Sequence, residues 1–236
     1  MSGPANFGGP TRVILDVKGD VPDWKEEYKK FLLSVKDSEG YFRYRWGPWK
    51  EDPSKLEILA SMCRALFPDI VPCINNLPPC IAWAPMETRQ AFGKSPHHQR
   101  AVDALKPVLA GPTPTKCPRF DLDTTTFVPP PPQLINSPIC EVITVRHCTG
   151  DPKLMAETLK KAEALPGCYS AHSGIGATDT PDQGTVWIGF VGWRDYESSE
   201  EADKSIYMPH GMGELESHHI NFNFPIKGFS VTNPGR

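Results

Sequence analysis

Hydrophobic and polar positions switch between two periods along the chain. Pro22–Asp37 (PDWKEEYKKFLLSVKD) sets Trp24, Tyr28, Phe31, Leu32 and Val35 at helical spacing, while lysines and glutamates fill the remaining positions. One apolar stripe and one charged face predict an amphipathic helix, and Gly40 ends it. Thr11–Lys18 (TRVILDVK) before it and Tyr41–Trp49 (YFRYRWGPW) after it read as strands. Lys55–Leu66, with Leu56, Leu59, Met62, Cys63 and Leu66 apolar, reads as an inserted helix, and the prolines that follow predict a loop over Asp69–Pro79. Cys80–Ala84 is a short buried strand in this reading. Met86–Phe92 and Pro96–Leu105 form a broken helix, with Ser95 as N-cap and Pro96 at its first position. Lys116–Leu122 closes the half as an edge strand, because Pro118 removes a ladder donor.

The second half repeats the rhythm. Ile139–His147 (ICEVITVRH) is β-branched and apolar, as a strand requires. Asp151–Ala164 opens with a capping residue and proline, then carries Leu154, Leu159 and Ala162 near helical spacing. Cys168–Ile175 and Thr185–Arg194 are strands around the turn-rich Gly176–Gly184. Tyr196–Tyr207 reads as a second helix and His218–Phe224 (HHINFNF) as a last alternating strand. The order β-α-β-β-α-β is the ferredoxin-like, split βαβ unit, and the fold class is α+β. The expected organisation is a tail over residues 1–10, a first unit over 11–127, a linker over 128–138 and a second unit over 139–230. In the linker, VPPPPQLINSP is expected to be extended and semi-rigid.

Composition narrows the function classes. With 236 residues the chain buries a core without staples. A net charge of −3 and pI near 6.2 argue against a nucleic-acid surface. No run reaches the ~18 apolar residues of a membrane span, and the N-terminus lacks the pattern of a signal peptide. The seven cysteines form no C-x-x-C pair and read as reduced and mostly buried, which favours a cytoplasmic protein. No zinc spacing, G-x-G-x-x-G, P-loop or G-x-S-x-G is present.

Two segments resemble the dimeric α+β barrel superfamily, in particular fungal proteins related to antibiotic biosynthesis monooxygenases. Trp187–Ser198 (WIGFVGWRDYES) looks like the family's third strand and its following "W-x-[SD]-x-E" helix opening. Phe92–Pro112 (FGKSPHHQRAVDALKPVLAGP) is similar to its "F-x-x-S-P-x-H" helix and exit. The resemblance covers most of residues 12–225. It implies two ferredoxin-like units in one chain, forming a pseudo-dimeric α+β barrel around a central cavity.

Within such a barrel, alternation sorts the candidate chemistry. In the last strand, Ile220, Phe222 and Phe224 are expected under the helices, with His219, Asn221 and Asn223 facing the cavity. Arg146, His172 and His219 form a candidate cluster, in which a neutral histidine accepts a proton from an acidic phenol or enol and arginine stabilises the enolate. Asp16, alone in an apolar strand, is a candidate catalytic carboxylate or half of a buried ion pair. Asn221, Asn223, Tyr44, Trp187 and Ser170 are candidate ligand contacts. Each of these also reads as an ordinary strand or core residue. The resemblance implies a cofactor-independent enzyme of secondary metabolism, a monooxygenase, cyclase, dehydratase or decarboxylase acting on an aromatic or polyketide-like molecule, with neither nicotinamide nor metal. Alternatives are a non-catalytic ligand-binding or stress-response barrel and a haem-handling barrel. A monomer or weak homodimer is expected, with no nucleic-acid or membrane partner.

Overall fold

The computed structural model describes residues 11–19, 21–36, 42–62, 94–111, 119–122, 132–178 and 184–223. In chain order the elements are β1 (Thr11–Asp16), α1 (Val21–Lys36), β2 (Phe42–Pro48), β3 (Lys55–Met62), α2 (Pro96–Leu105), β4 (Arg119–Leu122) and α3 (Pro132–Ile135). The second half follows with β5 (Ile139–Arg146), α4 (Pro152–Lys160), β6 (Cys168–Thr178), β7 (Val186–Trp193), α5 (Tyr196–Glu200) and β8 (Glu214–Ile220).

All eight strands form one sheet in the order β2-β3-β1-β4-β6-β7-β5-β8. Each half therefore has the same internal order of second, third, first and fourth strand, and every ladder is antiparallel. This is the ferredoxin-like unit, present twice. The halves join where β4 pairs with β6, Phe120 opposite Thr178 and Leu122 opposite Gly176. The outer edges also meet. The Trp46 amide donates to Phe222 O at 3.2 Å and the Lys50 amide to His219 O at 2.8 Å. A Cβ on Gly47 would stand 2.3 Å from Asn221 O, so only glycine permits this approach. The sheet thus closes on itself, which removes both free edges. The result is an α+β barrel built from two ferredoxin-like units.

Helices cover the outside of each half. In the first, Trp24 and Tyr28 of α1 pack on Trp46 of β2, with ring centroids 6.1 and 4.6 Å apart. In the second, Met155 and Leu159 of α4 pack on Trp187 and Val191 of β7. Each such fully buried side chain contributes about 1.5–3 kcal/mol. No helix among the described residues is long and apolar enough to cross a membrane.

Four expectations change. Residues 55–62 are a strand, not the start of a helix. Leu56 and Ile58 face the helix layer while Glu57 and Leu59 face the other way, so a buried charge interrupts the apolar alternation that would have marked the strand. The proline-rich connector is not extended throughout: Pro132–Ile135 makes a helical turn and buries Leu134. The helix expected over Tyr196–Tyr207 stops at Glu200 and gives way to a 3₁₀ turn over Lys204–Ile206, capped by Asp203. The last strand spans Glu214–Ile220 rather than His218–Phe224. The strand expected at Cys80–Ala84 and the helical piece at Met86–Phe92 lie outside the described residues.

Candidate functional site

Between the two halves the barrel interior is an apolar cluster with contributions from both. Ile14 of β1 and Leu59 of β3 meet Val142, Ile188, Phe190 and Ile220 of the second half. Strand pleating places further residues on the same inward faces, and four of them are polar and deeply buried. Arg12 is 1% exposed, Glu57 0%, Thr144 1% and His218 2%.

Arg12 and His218 converge on the Glu57 carboxylate, and Thr144 is tied in through Arg12. Arg12 grips it in a fork, Nε to Oε1 at 2.8 Å and Nη2 to Oε2 at 3.0 Å. Arg12 Nη1 reaches across the barrel and donates to Thr144 Oγ1 at 2.9 Å. Oε2 also accepts from Trp49 Nε1 at 3.0 Å and lies 2.7 Å from His218 Nε2. Trp49 stacks on the His218 ring, with centroids 3.7 Å apart and planes 16° from parallel. Burial by itself would raise the Glu57 pKa, but Arg12 and His218 outweigh it and hold the carboxyl down at about 2. The carboxylate is therefore ionised throughout the neutral range.

With Nε2–H donated to Glu57, the neutral form of His218 carries its lone pair at Nδ1. Nδ1 is buried and has no hydrogen-bond partner among the described residues. In that form the ring is held by a carboxylate at one nitrogen and by a stacked aromatic neighbour, an arrangement that can accept a proton at Nδ1.

His219 occupies a different environment. Its Nε2 lies 2.7 Å from Ser199 Oγ and its Nδ1 2.5 Å from Glu51 Oε1. Its amide donates to both Glu51 oxygens, at 3.1 and 3.0 Å, and the Tyr196 ring meets it edge-on. Burial works against the Glu51 charge, but these His219 contacts prevail and lower its pKa. In sequence of contacts, serine, histidine and carboxylate resemble a hydrolase triad. Two facts oppose that role: Ser199 is fully buried, and Glu141 Oε2 lies 3.4 Å from its Oγ. A carboxylate there would repel the oxyanion that an acyl-transfer site must stabilise. Glu141 itself accepts from Tyr207 Oη at 2.8 Å and Trp193 Nε1 at 3.3 Å, with Lys204 Nζ 3.3 Å from its other oxygen. His219 therefore ties β8 to α5 and to the β2–β3 hairpin.

The expected face of the last strand is inverted. Ile220 and Phe222 share a face as predicted, but that face joins the barrel interior, together with His218. His219 goes to the helix layer instead. Asn221 and Asn223 sit at the closure, Asn221 Oδ1 accepting the Asn223 amide at 2.9 Å and Asn223 Oδ1 accepting Arg45 Nη1 at 2.5 Å. Asp16 is largely exposed and pairs with Lys55, so it is neither a buried carboxylate nor one of a buried pair. Arg146 donates from Nη2 to Glu216 at 2.7 Å and is 26% exposed. Trp187 is fully buried under α4 in the helix layer, a core residue rather than a ligand contact. His172 and Ser170 of β6 stand opposite Phe190 and Gly192, in the inward register. Tyr44 lies in β2 opposite Ala60. The expected grouping of Arg146, His172 and His219 is thus broken by His219. The polar centre is Arg12, Glu57, Thr144 and His218, with Trp49.

Those residues left traces in the sequence. Arg12 interrupts an apolar strand as plainly as Asp16 does, but on the inward face. Glu57 disappears once Lys55–Leu66 is read as a helix. His218 precedes His219 directly, and only the register of β8 decides between them.

Neither a known family profile nor a curated protein matches the chain. Its fold does match solved structures. One, from Lactobacillus acidophilus NCFM and assigned as a monooxygenase, has 13% identity over 90% of this chain and 93% of its own, with TM-score 0.50. Another, an anthrone oxidase-like protein, has 10% identity over 89% and 90%, with TM-score 0.57. At these identities the likeness establishes the architecture: the chain has the ferredoxin-like α+β barrel fold that such oxygenase-type proteins also adopt.

Proposed function

We propose that the chain is a cofactor-independent oxygenase-type enzyme acting on an acidic phenol or enol of the anthrone or polyketide kind. The single observation that carries this reading is the buried Glu57–His218 pair with its unpartnered Nδ1. His218 Nδ1 takes the substrate's acidic proton, and the resulting enolate gives one electron to dioxygen. Recombination of the two radicals forms a carbon–oxygen bond. Loss of water from the hydroperoxide leaves a carbonyl, so one methylene and one O₂ become one ketone and one water. The Arg12–Glu57 ion pair keeps the base in register, and Ile188 and Phe190 belong to the apolar interior in which an aromatic ring is held.

Oxygen uptake with an anthrone, followed by mass spectrometry of the product formed under ¹⁸O₂, tests the reading. Enzyme-dependent uptake with one labelled oxygen in the product, lost in His218→Gln, is expected. Proton transfer by a positioned base contributes about 10²–10⁴-fold, so the variant is expected to fall by that order. Tight binding of the anthrone with no uptake above the spontaneous rate would instead make the barrel a carrier.

A further inference from the structure

His218 is 2% exposed and its Nδ1 is buried, so a ligand reaches that nitrogen only after part of the barrel wall has moved. The wall is not equally strong all round. β5 pairs with β8 in unbroken register from Cys140 opposite Ile220 to Arg146 opposite Glu214, and even the short β4–β6 join is three consecutive pairs. Among the described residues, the first half meets the end of β8 through two isolated bridges, Trp46 with Asn223 and Trp49 with Ile220. Lids are drawn from such thinly bonded parts of a fold.

The chain at this weak join also touches the base. Between β2 and β3, residues 49–54 form a hairpin tip bonded within itself. The Trp49 amide donates to Lys55 O and the Lys55 amide to Asp52 O, both at 2.9 Å, and Asp52 Oδ1 accepts the Ser54 amide at 3.1 Å. One side of the tip is tied to the end of β1, where the Val17 amide donates to Ser54 O at 2.8 Å. The other side lies on β8. Trp49 stacks on the His218 ring, the Lys50 amide donates to His219 O, and Glu51 holds the His219 amide and ring.

Adjacent residues of one strand are thus treated differently by one hairpin: His218 is covered and His219 is clamped. The clamp lies at the surface, with the Glu51 side chain 38% exposed, so water can replace its bonds when the tip lifts. Trp49 also donates to Glu57 Oε2, but Glu57 sits in β3 opposite Ile14 of β1, outside the tip. Lifting the tip therefore removes the indole and leaves the Glu57–His218 pair in place.

We propose that residues 49–54 are a flap over His218, latched to β8 by Glu51 and His219, and that lifting it admits a ligand to the Nδ1 lone pair. That this ligand is a substrate rests on the reading of His218 as the base.

The test locks the flap and reads access to His218 without relying on turnover. Lys50 and His219 oppose each other beside the Trp49–Ile220 bridge, and both side chains lie on the Tyr196 ring. Opposed Cα atoms of an antiparallel pair lie about 5.5 Å apart, within the roughly 4.4–6.8 Å of a disulfide. The full chain carrying Lys50→Cys/His219→Cys is oxidised or kept reduced, and the cross-link is verified by peptide mass spectrometry. Diethyl pyrocarbonate, which acylates a neutral imidazole, then labels each form, and tandem mass spectrometry follows His218. Labelling should be at least about tenfold slower in the oxidised form, and dithiothreitol should restore it. Glu51→Ala, which needs no cross-link, should label His218 about tenfold faster than wild type at unchanged circular dichroism. Equal labelling of the oxidised and reduced forms, or of Glu51→Ala and wild type, would overturn the flap. Oxygen uptake with an anthrone is recorded on the same samples. Flap-dependent labelling with no uptake in any form would uphold the flap and defeat the oxygenase reading.

Discussion

Replacing Glu57 by glutamine removes one charge and keeps the volume, and the consequences can be worked from the interior geometry. Arg12 is 1% exposed and holds the Glu57 carboxylate in a two-bonded fork. Removing one partner of a buried ion pair costs about 3–5 kcal/mol. An independent route gives the same order. The carboxyl falls from 4.5 to about 2 on folding, which corresponds to roughly 3 kcal/mol of stability at neutral pH. Because the folded value is the lower one, that contribution is complete above the unfolded pKa of 4.5. It is lost as pH falls from there toward about 2. Urea denaturation at neutral pH should therefore show Glu57→Gln less stable by about 3–5 kcal/mol, and the variant should lack the wild-type's loss of stability over the acid range. The double variant Arg12→Met/Glu57→Leu should regain at least half of the deficit, since a buried pair replaced by apolar groups is often neutral. A loss below about 1 kcal/mol in the single variant, or an unchanged acid slope, would refute the buried ion pair as the organiser of the interior.

Two further perturbations separate the closure and the core from the interior. Glu51→Ala removes three hydrogen bonds to His219 at the closure, where few backbone contacts hold; a loss of about 1–2 kcal/mol is expected. Hydrogen exchange should show faster exchange at the Trp46 and Lys50 amides with β5 protected as before. Trp187→Ala, in the helix layer, should cost about 3–5 kcal/mol in chemical denaturation while leaving ligand affinity near wild type.

The architecture was largely legible because both periods recur twice. The amphipathic stripe of α1 and the β-branched run of β5 each bury one face, and such patterns survive without knowledge of their partners. The site was less legible because it depends on which face of each strand meets the opposite half. At β8 the alternation correctly groups Ile220 with Phe222, but nothing local says whether that pair packs under helices or inside the barrel. One inversion therefore exchanges His218 for His219. At Lys55–Met62 the interior charge of Glu57 breaks the apolar pattern, so the residue that anchors the site also hides its strand.

Comparing His218→Gln with His219→Gln on the same substrate tests the placement of the base most directly. The two residues are adjacent in sequence and face opposite sides of one strand. Steady-state oxygen uptake with an anthrone, reported as kcat/KM, should drop about 10²-fold or more in His218→Gln and stay within about threefold of wild type in folded His219→Gln. The reverse order, or an equal loss in both variants at equal stability, would contradict a base inside the barrel.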